Sequence, residues 1–171
     1  MPNKLYIYYH DDHDGIFAAR IAYEYYIEKY KIDMKEESED VGPIFISGFI
    51  NKVLDEKECK INTIAIEDYS VKLSDLVKEE FTKNDLLVFL DYSFSNKENQ
   101  EWLKELVEKE IPIVWIDHHQ TSIKTEKENT WMQKIPGIRD NRKCGTAIAY
   151  LYYCVSPFET MPENIEKIEL P

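Results

Sequence analysis

The chain has 171 residues, 43% of them apolar, enough for one domain with a sizeable core. Its 33 acids against 21 basic residues give a formal charge of −12. Such a surface repels polyanions and argues against duplex nucleic acid binding through a basic face, so any phosphate must be held by local positive charge.

Cys59, Cys144 and Cys154 have no C-x-x-C spacing, which leaves a zinc ribbon or a disulfide framework unsupported. Cys144 and Cys154 are expected to be small core residues of a helix. No apolar run reaches signal-peptide or membrane-spanning length, so a reduced cytoplasm, away from membranes, is the expected setting.

In chain order, Leu5 to Tyr9 reads as a first strand. Ile16 to Tyr30 follows without a breaker and with apolar residues almost all round, which predicts a largely buried helix. Its tyrosines (Tyr23, Tyr25, Tyr26, Tyr30) are better read as core and boundary packing than as a base-stacking surface. Lys31 to Asp40 reads as a charged connection, and Pro43 to Ile50 carries the apolar stretch Ile44-Phe45-Ile46. Ile61 to Ile66 fits another strand. Ser70 to Phe81 fits a helix, with Leu73, Leu76, Val77 and Phe81 on one face.

Leu86 to Leu90 is an apolar run of strand length. Ser95-Asn96-Lys97-Glu98 has capping-box spacing ahead of a helix bearing Trp102, Leu103, Leu106 and Val107. Ile111 to Ile116 is the next strand, Trp131 to Ile135 a candidate further one, and Gly145 to Val155 a helix stopped at Ser156-Pro157. Unalternating apolar strands separated by helices predict an α/β domain over residues 1–156, with a mainly parallel, doubly wound sheet and helices on both faces. Residues 157–171 read as a tail or the start of a linker.

Three strand ends carry the same chemistry: His10-Asp11-Asp12-His13-Asp14-Gly15, Asp91, and Asp117-His118-His119. Carboxylates and imidazoles meeting at the carboxyl edge of a parallel sheet suit a divalent-metal site. Alternate residues His10, Asp12 and Asp14 can face one side, Gly15 permits a tight turn, and the next helix points its amides at the same place. An aspartate at 12 or 14 can also serve as a plain helix cap. The ligand types favour Mn²⁺, with Mg²⁺, Co²⁺ or Zn²⁺ compatible, and two ions sharing a carboxylate suit hydrolysis of a phosphoryl group. Arg139, Arg142 and Lys143 form a basic concentration nearby that reads either as a phosphate contact or as a solvated loop.

The HxDxDG form of residues 10–15, the strand-ending Asp91 and the triplet Asp117-His118-His119 resemble, in order and spacing, the first three motifs of the DHH phosphoesterase superfamily, most closely its nanoRNase-like oligoribonucleases. The resemblance implies a metal-dependent phosphoesterase acting on short oligonucleotides or small phosphate esters. It implies that His10 and Asp12 hold one metal, that Asp14 and His118 hold a second, and that Asp91 bridges both. His119 would contact the substrate phosphate, and Asp117 would orient the histidines. Gly145 and Thr146 of Cys144-Gly145-Thr146-Ala147, with Arg142, would lie on the substrate side, although such a helix start can equally be structural.

The family's fourth motif, a further aspartate on the second metal, has no match in Pro157 to Pro171, and its C-terminal substrate domain is not seen in the sequence. An N-terminal piece of a longer protein and a reduced member are both open. The alternative function is a metal-binding regulatory or interaction module with reduced or lost turnover. Without the fourth-motif aspartate the second metal is expected to bind more weakly than the first. The oligomeric state is left open by the sequence.

Overall fold

A computed structural model describes residues 1–30 and 59–155. The stretches predicted at 31–58 and 157–171 lie outside the described residues.

Among the described residues four strands form one parallel sheet in the order β2-β1-β3-β4: β1 (Lys4–His10), β2 (Lys60–Ile66), β3 (Asp85–Leu90) and β4 (Ile113–Ile116). From β1 the chain passes outward to β2, then returns across β1 to β3, so the strand order reverses between β1 and β3. In an open parallel sheet that reversal opens a crevice at the carboxyl ends of the strands. His10 ends β1 and Asp91 follows β3, so both stand at this crevice.

Strand alternation sends side chains to two cores. Leu5, Ile7, Val88, Leu90, Val114 and Ile116 face helix α1 (His13–Tyr30) and helix α4 (Gly145–Tyr150). Tyr6, Tyr8, Leu87, Phe89 and Trp115 face helix α2 (Lys97–Glu108) on the other side. The predicted doubly wound α/β domain is thus present, with helices on both faces. Helix α1 buries a narrow stripe (Ala18, Ala19, Ala22, Tyr26) and leaves Phe17 half exposed, so it is less buried than its composition suggests. Its tyrosines pack as expected, Tyr25 and Tyr26 both lying against Tyr153.

Other expectations need correction. Ser70 to Phe81 is not a helix; one 3-10 turn at Leu73–Asp75 is all that forms. The buried Asn99 side chain of α2 takes the Leu73 amide (3.0 Å) and donates to the Val71 carbonyl (2.8 Å), so a tertiary partner claims the groups a helix would pair. Asn96, not Ser95, caps α2, accepting from the Glu98 amide at 2.9 Å.

Trp131 to Ile135 is a 3-10 turn, Thr130–Lys134. The extended lane beside β4 lies just after it: Pro136 and Ile138 accept from Trp115 and Asp117, and the Asp140 amide donates to Asp117. Proline fits at that edge because only its carbonyl is used. Helix α3 (Gln120–Glu128) was not expected, since it has no apolar stripe and buries Ser122 and Thr125 instead. Cys144 and Cys154 are exposed, contrary to the core role expected; Cys59 is the buried one. No helix among the described residues is long and apolar enough to cross a membrane.

Candidate metal centre

Asp91 occupies the crevice floor. It is fully buried, and its backbone takes the left-handed region at φ 54°, a conformation that aspartate tolerates better than most residues but that still costs energy. Among the described residues neither carboxylate oxygen receives a hydrogen bond of sound geometry, although His118 Nε2 lies 3.0 Å from Oδ1. Burial, and then the charges of Asp117, Asp12 and Asp14, push its pKa up to about 8. A buried carboxylate with no sound hydrogen bond is costly, and a bound cation would relieve that cost.

Among the described residues two groups of ligand atoms share this residue: His10, Asp12 and Asp91 on one flank, and Asp91, His118 and His119 on the other. On the first flank, His10 Nδ1 lies 2.8 Å from Asp12 Oδ2, while Asp12 Oδ1 accepts the Gly15 amide at 2.9 Å. Asp12 therefore caps α1 and faces the crevice at once. Burial works to raise its pKa, but the Gly15 amide and His10 outweigh that and hold it below the usual range. The turn expected at Gly15 is instead the first turn of α1. Glycine is needed there because a Cβ would overlap the His10 carbonyl.

On the second flank, His118 Nε2 stands 3.0 Å from Asp91 Oδ1 and 3.5 Å from Asp14 Oδ2. Asp14 reaches across to α4, accepting the Gly145 amide (2.6 Å) on Oδ2 and the Thr146 amide (2.7 Å) and hydroxyl (2.5 Å) on Oδ1. Burial again opposes ionisation of Asp14, and the Thr146 and Gly145 donors overcome it. A Cβ at Gly145 would sit 2.9 Å from Asp91 Oδ1, so this position must stay small for the carboxylates to gather.

His119 differs from its neighbour. Its Nδ1 lies 2.7 Å from Asp117 Oδ1 and its Nε2 3.1 Å from the Tyr69 hydroxyl. The hydrogen bond to Asp117 raises its pKa. Proximity to Asp91 (3.8 Å) groups it with the ligands, yet both ring nitrogens already have partners. Asp117, fully buried, also accepts the His118 amide at 2.8 Å and the Ser122 hydroxyl.

His10, Asp12, Asp14, Asp91, Asp117, His118 and His119 thus surround one crevice, with Gly145 and Thr146 against Asp14. Arg142 sits on the exposed turn before α4, where its guanidinium forks onto Asp140. Arg139 is structural, buried against Glu126 and the carbonyls of Trp115 and Ile135. His13 is exposed. Sequence reasoning missed Tyr69 and Ser122. Tyr69 follows β2 as the acidic clusters follow β1 and β3, and that shared strand-end position is the signal that could have found it.

Fold and crevice together define an α/β domain that gathers metal-ligating side chains at the switch point of a parallel sheet. The chain belongs to the DHH family: the model of the DHH family N-terminal domain matches residues 4–170. Members of this family are phosphoesterases that use divalent metals. Among solved structures, it is similar to an uncharacterized protein from Helicobacter pylori G27, at 17% identity and a TM-score of 0.46 over 86% of this chain. The chain spans 35% of that protein's length. Comparison with curated proteins gives no significant match.

Proposed function

We propose that this chain is a divalent-metal-dependent phosphoesterase, with Mn²⁺ preferred, that cleaves phosphodiester or phosphoanhydride bonds in small substrates, short oligonucleotides first among them. The observation that carries the reading is the buried Asp91 carboxylate, with no hydrogen bond of sound geometry, between two flanks of imidazole and carboxylate. His10, Asp12 and Asp91 would hold one cation; Asp91, His118 and Asp14 would hold the second. Bound there, divalent ions supply Lewis-acid polarisation of a phosphoryl oxygen and a more acidic water. His119, whose ring nitrogens meet Asp117 and Tyr69, would contact the substrate phosphate through Nε2 by giving up the Tyr69 bond.

A charge of −12 disfavours long polyanions and leaves a small phosphate ligand, drawn in by the cations, as the fitting substrate. The preference for oligonucleotides rests on the motif resemblance. The test is a hydrolysis panel with Mn²⁺, Mg²⁺, Co²⁺ and Zn²⁺ against bis-p-nitrophenyl phosphate, short oligoribonucleotides, cyclic dinucleotides and pyrophosphate. Cleavage of a short oligonucleotide with Mn²⁺ is expected. Metal binding with no cleavage of any substrate would replace this reading by the regulatory-module one.

A further inference from the structure

Tyr69 lies on the loop after β2 and belongs to neither ligand group. Its ring stacks with those of His10 (centroids 4.7 Å, planes 24° apart) and Tyr92 (5.4 Å, 23°). Its hydroxyl meets His119 Nε2 at 3.1 Å. The loop that carries it is fixed by Asn99, whose side chain bonds the Val71 carbonyl, the Leu73 amide and, at 2.8 Å, the Tyr92 hydroxyl. A tyrosine held by its stacking partners and by its loop can hold something else in turn.

What it holds is one end of an imidazole. The Asp117 carboxylate also takes the His118 amide and the Ser122 hydroxyl, which assigns it as the acceptor from His119 Nδ1 and leaves Nε2 to pair with the Tyr69 hydroxyl. Neither nitrogen then offers a lone pair to a cation, although His119 Nδ1 stands 3.8 Å from Asp91 Oδ1. His118, one residue earlier, has its Nε2 turned onto the carboxylates. Two adjacent imidazoles reach the same crevice, and hydrogen bonding withholds one of them.

We infer that Tyr69 is a specificity-determining residue for the cation: Asp117 holds His119 Nδ1, and Tyr69, by engaging Nε2, opposes the ring turn that would bring a second imidazole nitrogen to the second-flank ion. This rests on the metal-site reading proposed above. With one imidazole and two carboxylates the flank suits oxygen-preferring ions such as Mn²⁺ and Mg²⁺. Adding a second imidazole moves the ligand set toward Zn²⁺. Without the phenol hydroxyl, Nε2 loses its partner and a ring flip is no longer opposed at that end.

Tyr69→Phe tests this, since it keeps the stacked ring and removes only the hydroxyl. In the metal-free chain, ¹⁵N NMR of the histidine rings should show His119 Nε2 as a hydrogen-bonded acceptor in the parent and as a free nitrogen in Tyr69→Phe. Calorimetric competition between Zn²⁺ and Mg²⁺ should then shift toward Zn²⁺ by about tenfold or more in the variant, the range in which outer partners tune metal sites. Tyr69→Ala, which also removes the stack on His10, should weaken both ions. An unmoved His119 resonance, or a parental Zn²⁺/Mg²⁺ ratio in Tyr69→Phe, overturns the inference, as does a parent that binds neither ion. A parent that binds both ions and cleaves nothing removes the proposed activity, and the metal ratio still decides the role of Tyr69.

Discussion

The two flanks of Asp91 are built differently. The first is local: His10 and Asp12 lie two residues apart at the end of β1, and Asp12 takes its cap bond from Gly15 in the same turn. The second is assembled from three remote segments, with His118 following β4 and Asp14 tied to the amides of Gly145 and Thr146, 131 and 132 positions away. Asp12 leaves one oxygen facing only a fellow ligand, whereas both Asp14 oxygens already accept strong hydrogen bonds. A cation on the first flank meets ligands placed for it; on the second it competes with the helix that orients Asp14. Stepwise binding is the consequence we propose, the first-flank ion tighter than the second.

The largest effect should come from the residue the flanks share. Asp91→Asn is expected to lower Mn²⁺ affinity at both sites by more than about 100-fold, beyond what loss of an outer hydrogen-bond partner costs. Calorimetry that found two unchanged sites would end the bridging role. The same variant sharpens the argument about burial. In the metal-free chain Asp91 has a folded pKa of about 8 against 3.8 for the ordinary group, so between those values the folded form keeps a proton that the unfolded form has lost. Stability must therefore fall as pH rises through that window and level off above it.

His119, with its raised pKa, adds a loss of stability in the same direction as pH rises through its own folded value. Asp12 and Asp14, with lowered values, act oppositely: their contribution is lost as pH falls through their folded pKa values. Thermal unfolding of metal-free protein from pH 5 to 9 should show the decline. It should be shallower in Asp91→Asn and largely absent when the site is filled. A flat profile in the metal-free parent would contradict the burial argument.

Gly145→Ala should separate the flanks. Its Cβ, 2.9 Å from Asp91 Oδ1, must push the carboxylate or α4 aside, costing about 1–3 kcal/mol as overpacking does. Denaturant unfolding gives that cost, and metal titration should show the second ion weakened more than the first. Equal weakening of both ions would mean that Asp91 itself had moved. The smallest effect on metal belongs to His119→Ala: Mn²⁺ affinity should stay close to that of the parent while inorganic phosphate binds less tightly to the loaded protein. A loss of metal as large as that in His118→Ala would place His119 among the ligands.

The parallel sheet was legible because β1, β3 and β4 are apolar runs with polar residues at their ends, a pattern that survives whatever packs on them. The first flank was legible for a similar reason, since its residues are neighbours in the chain. The 70–81 segment was misread because its apolar spacing is helical, while the hydrogen bonds that override it come from Asn99, 26 residues beyond Leu73. Helix α3 was invisible because its buried side chains are Ser122 and Thr125, and the carboxylate that receives Ser122 is five residues back.

By itself the sequence determined the ligand types, their strand-end placement and the family motifs, because these are properties of short segments. Only the tertiary structure decided that Asp91 is left without a sound hydrogen bond, that Asp14 is claimed by α4, and that His118 and His119 turn to different partners. Those outcomes depend on which atoms meet across the crevice between β1 and β3. Adjacent residues of identical type carry no mark in the chain of the hydrogen bonds that will divide their roles.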